Sequence, residues 1–255
     1  MRKILILIFM LISNLAYAQT EESEPEKAYE LALGAGLSVG STLYKGEKKT
    51  YAAPFPYLEF NSKYLFWSGI QGGVHLYRSN SLKVDLTVSY LAMQFSPEDS
   101  DDSAMKKLDK RKPSAGAGFA VAYKAAFGII DAGLTFDVLD ISRGFTASAN
   151  YTLPCMITEK LLVYGSIGGQ YNSAKHNNYY FGVTQEESLK SGIKSYKADG
   201  SIELSLGLGT MYDFTDKLHL LASAQFTLLS DEITDSPMLD ASVAWNVMLG
   251  VLYSF

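Results

Sequence analysis

The chain has 255 residues, a formal net charge of −5, 47% hydrophobic residues and only 19% charged residues, against roughly 25% charged residues in soluble domains. It has no surplus of basic residues to neutralise a phosphate backbone, so nucleic acid is excluded as an expected partner. Cys155 is the only cysteine, which excludes an intrachain disulfide.

The first 18 residues have the three parts of a secretory signal peptide. Residues 2–12 combine a basic start with nine unbroken apolar residues, and Ala16 and Ala18 are the small residues that signal peptidase requires. An uncleaved membrane anchor is the alternative, but nine apolar residues are few for a span of ~20 residues. We therefore expect cleavage between Ala18 and Gln19.

The sequence beyond the signal peptide predicts a short tail and one domain. Residues 19–28 are largely polar and charged and include Pro25, a composition typical of a mobile segment. No linker or long internal repeat divides residues 29–255, which we interpret as a single domain.

Alternation of apolar and polar residues with a period of two dominates this domain. One face of each alternating segment carries only apolar or aromatic side chains, and the other carries mostly Gly, Ser, Thr and charged residues. Successive side chains of a strand point to opposite sides, so each segment predicts a two-faced strand. The clearest segments are 82–90, 130–138, 201–209 and 217–228, and weaker copies occur at 29–39, 51–60, 64–77, 115–125, 145–153, 161–171 and 243–255.

The polar face is sparse in Lys and Glu, which favours a membrane barrel over a soluble sandwich. Many alternating segments match the ~9–11 residues that a tilted strand needs to cross a bilayer. A closed barrel also satisfies every backbone hydrogen bond in hydrocarbon. We predict an all-β, closed, transmembrane antiparallel up-and-down β-barrel of about 12 strands. The following aromatic residues are expected near strand ends, in the interfacial girdles: Tyr29, Tyr57, Tyr90, Phe145, Tyr171, Tyr212, Phe226 and Tyr253.

The strand count depends on residues 64–77. One strand there gives eleven in total, whereas a hairpin split near Gly69, into 64–67 and 70–77, gives twelve and places the N-terminus in the periplasm. Bacterial barrels have even strand numbers, so we predict twelve. The expected outer loops are 94–113, 140–143, 172–198 and 229–242, and the expected periplasmic turns are 78–81, around Gly128, 154–160 and 213–216.

The last alternating segment has the pattern of a barrel-assembly signal. Its membrane-facing residues, of which the last is aromatic, are expected to be recognised by the outer-membrane barrel assembly machinery. These residues are Trp245, Val247, Leu249, Val251, Tyr253 and Phe255.

Two outer loops have features of their own. Loop 94–113 has an acidic half and a basic half, which either bridge lipopolysaccharide phosphates or pair with each other. In loop 172–198, Thr184 and Glu187 form a capping box, which predicts a two-turn helix between Phe181 and Ile193. That helix either narrows the lumen or orders only its own loop.

The residues show no pattern of catalysis, cofactor binding or metal binding. His75, His176 and His219 have no evident serine or acidic partner on a neighbouring strand, and Cys155 is expected as a free thiol in a periplasmic turn. Charged residues on the inward face either line a pore or pair and close it, and pairing predicts a poorly conducting barrel. These residues are Lys83, Asp85, Lys124, Asp131, Asp137 and Glu203.

Loop 172–198 also carries a recognisable series of residues. Its members are Tyr179, Tyr180, Phe181, Gly182 and, further on, Gly192. They resemble the signature stretch of the MipA/OmpV family of outer-membrane proteins. Other short stretches agree with this family in the same order, at 44–46, 54–57, 72–74, 228–237 and 253–255.

The resemblance implies a non-enzymatic protein of the outer membrane. The family's founding member is a scaffold that brings a murein-degrading lytic transglycosylase together with a bifunctional murein synthase. The resemblance therefore implies these two enzymes as partners, beside lipopolysaccharide and the other outer-membrane lipids. A porin-like channel or a surface adhesin is the alternative, and an outer-membrane hydrolase is less favoured.

Overall fold

Twelve antiparallel strands form one closed barrel in the computed structural model, which describes residues 29–255. The expected signal peptide, its cleavage site at Ala18 and Gln19, and the tail 19–28 lie outside the described residues. The strands are β1 (Tyr29–Ser41), β2 (Thr50–Ser62), β3 (Leu65–Ser68), β4 (Gln71–Arg78), β5 (Leu82–Leu91), β6 (Ser114–Ala125), β7 (Gly128–Asp137), β8 (Phe145–Thr158), β9 (Leu161–Asn172), β10 (Ser201–Thr215), β11 (Leu218–Leu228) and β12 (Val243–Ser254).

Three short α-helices, besides two 3₁₀ turns at Pro97–Asp99 and Met105–Lys107, lie in the loops at one end of the barrel within residues 29–255. They are α1 (Ala174–Phe181), α2 (Gln185–Ser191) and α3 (Asp231–Thr234). No helix within residues 29–255 is both long enough and apolar enough to cross a membrane.

The barrel closes by pairing its first described strand with its last. β1 and β12 run antiparallel from Ala32 opposite Ser254 to Gly40 opposite Asn246. This pairing leaves neither strand as a free edge of the sheet, so the prediction of a closed barrel with twelve strands is confirmed.

The split of the region 64–77 into a hairpin is also confirmed. β3 and β4 meet in a tight turn at Gly69 and Ile70, one residue from the predicted positions. Gly69 has a positive φ of 58°, a conformation that glycine adopts without steric cost.

The alternating apolar faces lie on the outside of the barrel. Along β10, the exposed fractions of Ile202, Leu204, Leu206 and Leu208 are 56–61%, while Ser201 and Glu203 between and beside them are buried. Rows of exposed apolar side chains around a closed barrel are the arrangement that a lipid environment stabilises.

Two predicted turns are shorter than expected. Pro154 and Cys155 were assigned to a turn, but both lie in β8, paired with Tyr164 and Val163, and the turn is formed by residues 159–160. β10 likewise continues through residues 213–215, so only residues 216–217 make that turn. In both hairpins a shift in the pairing register keeps the two strands paired beyond the point where the alternation of apolar and polar residues ends.

One side of the lumen is filled by apolar and aromatic side chains, which corrects the expectation that inward positions are small or charged. Tyr51, Phe55 and Tyr57 of β2 point inward and are at most 6% exposed. Tyr57 is therefore not in an interfacial girdle, and its hydroxyl lies 2.9 Å from Ser68 Oγ. Glycines on neighbouring strands leave room for the rings, since a Cβ on Gly36 would lie 2.5 Å from the Phe55 ring.

The lipid-facing assignment makes a quantitative prediction for Leu206→Arg. At this exposed position near the middle of β10, a buried charge in lipid should lower the free energy of unfolding by about 2–4 kcal/mol. Urea titration of the barrel in lipid vesicles measures this loss. The matched control is Leu189→Arg in α2, where the leucine is 88% exposed outside the barrel wall. Equal effects at the two positions would contradict the assignment.

Candidate functional site: the outer cap and the lumen

Loops 42–49, 92–113, 173–200 and 229–242 meet over one end of the barrel, and we name this assembly the outer cap. It has its own apolar core, distinct from the clusters inside the lumen. The buried residues of the cap core are Leu43, Tyr44, Phe95, Met105, Leu108, Tyr180, Phe181, Val183, Ile233 and Met238.

The residues of the family-like stretch lie inside this cap. Tyr180 and Phe181, at the end of α1, are each 1% exposed. The Tyr180 hydroxyl donates to Lys112 O at 3.2 Å, and Ser236 Oγ donates to Phe181 O at 2.6 Å. Tyr179 Oη accepts a hydrogen bond from Lys112 N at 2.8 Å. These residues therefore join three loops.

The predicted helix in this region is confirmed as α2. Thr184 accepts the N–H of Glu187 at 3.1 Å, and the Glu187 carboxylate accepts the N–H of Thr184 at 3.0 Å, which is the expected capping box. Gly192 ends the helix in the left-handed conformation. Helix α1 was not predicted, because its eight residues include four polar ones and have no capping side chain.

A buried ion pair links α2 to loop 92–113. Arg111 Nη2 lies 2.8 Å from Glu187 Oε1 and donates to Gly182 O at 3.0 Å. Burial tends to raise the pKa of Glu187, but hydrogen bonds from Thr184 N, Asp109 N and Arg111 outweigh it and the pKa is lowered. The carboxylate is thus held in its charged form at the centre of the cap.

The charges of loop 94–113 pair with other loops. Besides Arg111 with Glu187, Asp102 pairs with Lys45 at 3.8 Å and Asp109 with Lys190 at 2.6 Å. Neither alternative from the sequence, lipid phosphates or pairing within the loop, anticipated these contacts. Opposite charges in one loop carry no information about which neighbouring loop will approach.

Two titratable groups in the cap have strongly shifted pKa values. Burial lowers the pKa of His176 to about 4, against an opposing effect of the Asp137 charge. Burial and the charge of Asp99 raise the pKa of Glu47 to about 7. His176 is therefore neutral in the folded cap, with its ring centroid 4.9 Å from that of Tyr180.

A polar network occupies the lumen on the side of the short turns. His75 Nδ1 lies 2.7 Å from Asp85 Oδ1, and His75 Nε2 lies 3.1 Å from Asn61 Oδ1. Lys83 Nζ pairs with Asp85 at 3.4 Å, and Arg78 donates to Asn61 at 3.2 Å. Asn61, Arg78, Lys83 and Asp85 line a cavity of about 110 Å³.

Of the expected inward charges, Lys83 and Asp85 pair with each other, whereas Asp131 and Glu203 accept hydrogen bonds from Asn150 and Asn172. Whether the lumen conducts stays a prediction.

A second histidine corrects the expectation that none has partners on neighbouring strands. His219 Nδ1 lies 2.5 Å from Asp213 Oδ1 of β10, and His219 Nε2 lies 3.2 Å from Ser254 Oγ of β12. This is the connectivity of a Ser-His-Asp triad. This arrangement could not be predicted from the sequence, because the three residues become neighbours only through the register of the strands.

Two backbone donors beside Ser254 are already bonded and are not available as an oxyanion hole. An oxyanion hole needs free donors close to the nucleophile. The N–H of Ser254 donates to Lys217 O at 2.8 Å, and the N–H of Phe255 donates to Leu31 O at 3.0 Å. The backbone donors of Ser254 and of the residue after it are thus already used. Within residues 29–255, no group of three or more His, Cys, Asp or Glu side chains could hold a metal ion.

The residues of the expected assembly signal lie on the outer face of β12. Val247, Leu249, Val251 and Tyr253 are 42–54% exposed, and Trp245 is partly buried. They continue the lipid-facing surface up to the closure with β1. Recognition by the assembly machinery stays a prediction.

The fold and the comparisons together define the class of protein. A closed barrel, an apolar exterior and paired charges in the lumen are features of a bacterial outer-membrane β-barrel protein. In such a protein the short turns lie on the periplasmic side. The family described as "MltA-interacting protein MipA" matches residues 33–255, and the chain belongs to this family.

Several relatives match most of this chain or a large part of it, and some of them are named as outer-membrane proteins. The MltA-interacting protein of Escherichia coli (strain K12) is 33% identical over 89% of this chain and 90% of its own length. The putative outer membrane protein YiaT of the same strain is 32% identical over 89% and 92%. Outer membrane protein OmpV of Vibrio cholerae is 28% identical over 60% and 59%. The NanC porin structure covers 89% of this chain and all of its own, at a TM-score of 0.41 and 10% identity.

The buried ion pair predicts a large effect for Glu187→Gln. Removing one partner leaves the Arg111 charge buried and unpaired, which should cost about 3–5 kcal/mol of cap stability. Hydrogen exchange of the amides of α1 and α2 measures this cost. The matched control is Asp109→Asn, which breaks an exposed pair with Lys190 and should leave exchange nearly unchanged. Equal exchange in the two variants would contradict a stabilising role for the buried pair.

The pKa of His176 predicts that acid loosens the cap. The pKa of His176 is about 6.5 in the unfolded chain and about 4 in the folded cap. The contribution of neutral His176 to the free energy of unfolding is therefore complete above pH 6.5 and declines as the pH falls toward 4. Between pH 7.5 and 5 the cap should lose about 2 kcal/mol, measured by hydrogen exchange.

Glu47 acts in the opposite direction, because its raised pKa makes the folded cap more stable as the pH falls from about 7. The measurement is therefore made in a Glu47→Gln background. His176→Phe keeps an aromatic ring beside Tyr180 and should abolish the pH dependence. If the stability of the cap depends on pH in His176→Phe as it does in the parent protein, a group other than His176 causes the dependence.

The occupied donors around Ser254 predict that this hydroxyl is not an active nucleophile. A fluorophosphonate reagent should label the wild-type barrel no more than the Ser254→Ala variant, as read by intact mass. Labelling that depends on both Ser254 and His219 would instead support a hydrolase.

Proposed function

We propose that this protein is a non-enzymatic scaffold that holds peptidoglycan-synthesising and peptidoglycan-degrading enzymes at the outer membrane. The relative at 33% identity is named for its interaction with MltA. The proposal extends that interaction to this chain, with a lytic transglycosylase and a bifunctional murein synthase as the partners.

The observation that supports this proposal is that apolar side chains fill the cap over one mouth and one side of the lumen. The outer cap has a continuous apolar core over one mouth, and Tyr51, Phe55 and Tyr57 fill one side of the interior. A barrel built for diffusion would keep both regions polar and open. An interior filled in this way favours a function carried by the external faces.

The periplasmic face is the surface that envelope enzymes can reach. It consists of short turns whose tips expose both charged and apolar side chains. The exposed residues include Lys63, Phe127, Glu159, Lys160, Asp216 and Lys217. Such a mixed rim matches the polar and apolar composition of transient protein interfaces.

Exchange of charge on this face tests the scaffold. The wild-type barrel in lipid nanodiscs should retain a purified lytic transglycosylase from the same organism, and Lys160→Glu with Lys217→Glu should weaken binding about tenfold. Surface plasmon resonance measures the change. The matched control is Lys194→Glu with Lys197→Glu, which makes the same charge change on the outer cap and should bind as wild type.

Two outcomes would reject the proposal. One is failure of the wild-type barrel to bind either murein enzyme, and the other is equal binding by both charge variants. Large, stable openings in planar bilayers would favour the channel class instead.

A further inference from the structure

The cavity in the lumen lies in the half of the barrel nearest the short turns, and we name it the periplasmic cavity. Glu59 and Asn61 line it from the end of β2, and Lys83 and Asp85 line it from the start of β5. Arg78, the last residue of β4, lines the cavity and is also exposed to the medium. A solute therefore reaches the cavity through the periplasmic mouth without crossing the barrel wall.

Small residues on the facing wall make room for the cavity. Ala120 and Ala122 of β6 and Gly133 of β7 are among its lining residues. Ala120 pairs with Asp85 on one side and with Gly133 on the other, and residues paired across strands share one face of the sheet, so all three point into the lumen. An apolar cavity of roughly 150 Å³ holds a benzene molecule. A cavity of about 110 Å³ therefore admits a solute of about the size of alanine.

A β-bulge turns Arg78 toward this cavity. The pairing register of β4 with β5 shifts between His75 and Tyr77, and Arg78 lies opposite the inward-facing Lys83. Without the extra residue, His75 and Arg78 would point to opposite faces, because side chains alternate along a strand. With it, both point into the lumen, where the Arg78 guanidinium donates to Asn61 Oδ1 at 3.2 Å. The bulge thus adds to the cavity a cation that regular pairing would direct outward.

Two opposite charges at the cavity have no ion pair. Lys83 Nζ pairs with one carboxylate oxygen of Asp85 at 3.4 Å, and His75 contacts the other oxygen. Among residues 29–255, by contrast, neither the Glu59 carboxylate nor the Arg78 guanidinium has an ion-pair partner. The charge of Lys83 acts on Glu59 only from a longer distance. The hydrogen bond of Arg78 to Asn61 leaves other guanidinium donors available to a ligand.

The spacing of these two charges suits a small zwitterion. Glu59 and Asn61 are two residues apart on the inward face of β2, which places them about 7 Å apart along the strand. Because Arg78 bonds to Asn61, its guanidinium stands beside Glu59 without meeting it. An ammonium group against Glu59 and a carboxylate against Arg78 would each form a charge-assisted hydrogen bond.

We propose that the periplasmic cavity binds a small zwitterionic amino acid of about the size of alanine, with its carboxylate at Arg78 and its ammonium group at Glu59. The ligand's short side chain lies toward Ala120 and Ala122. A simple amine or a simple carboxylate leaves one of the two protein charges without a partner, so the zwitterion binds more tightly than either.

Saturation-transfer-difference NMR with alanine tests the proposal. The full-length processed barrel in lipid nanodiscs is titrated with L-alanine and with D-alanine, and empty nanodiscs give the background. We expect saturable binding of at least one enantiomer. Propionate and ethylamine, which carry one charge each, should bind at least about tenfold more weakly. Absence of saturable alanine binding, or equal binding of all the compounds, would overturn the proposal.

Two charge variants test the assigned contacts. Arg78→Gln removes the partner of the carboxylate and Glu59→Gln removes the partner of the ammonium group, and each should weaken alanine binding at least about tenfold. The matched control is Lys124→Gln, which removes an inward charge of β6 that does not line the cavity. If propionate bound as tightly as alanine and lost its binding only in Arg78→Gln, the cavity would be an anion site and the zwitterion would be rejected.

A cavity-filling variant tests the location of the site. Ala120→Leu occupies the cavity and should abolish saturable alanine binding, whereas Ala149→Leu, on the outward face of β8, should bind alanine as the wild type does. Heat-modifiable electrophoretic mobility verifies that each variant is folded. Alanine binding that is unaffected by Ala120→Leu would overturn the cavity as the binding site.

Discussion

Satisfaction of backbone hydrogen bonds in a medium without water is the constraint on which this structure depends. Each N–H and C=O in the hydrocarbon layer needs a partner within the protein, and twelve strands closed from β1 to β12 provide one for nearly all of them. The edge of β2 is the informative exception. Residues 50–58 of β2 pair with β1 but not with β3, and there Pro54 and Pro56 have no N–H that needs a partner, although their carbonyl oxygens still do.

The same constraint divides the apolar residues of the chain among three environments. Leu204 and Leu206 face lipid, Phe55 and Tyr57 fill part of the lumen, and Tyr180 and Phe181 form the core of the outer cap. Only the last two environments resemble the interior of a soluble protein. The cap therefore has stability of its own, which its buried Arg111–Glu187 pair and His176 make dependent on charge.

Local patterns predicted the wall of the barrel and failed where contacts depend on register. Alternation identified the strands, Gly69 marked the extra hairpin, and Thr184 with Glu187 predicted α2, because each signal lies within a few residues. The His219 network and the Arg111 ion pair join residues far apart in the chain. The prediction that Tyr57 lies in an interfacial girdle was wrong. An aromatic residue near a strand end can point into the lumen or face the membrane interface, and only the orientation of the strand decides between the two.

The pairing of β1 with β12 has a consequence for biogenesis. The segment made first among the described strands gains its second neighbour only when the segment made last arrives. A seam between sequence-distant strands is slow to form, because a long loop must close before it contributes any contacts. The sheet therefore keeps two unpaired edges until translation has finished, and such edges are the part of an unfinished barrel that is most prone to pair with another chain.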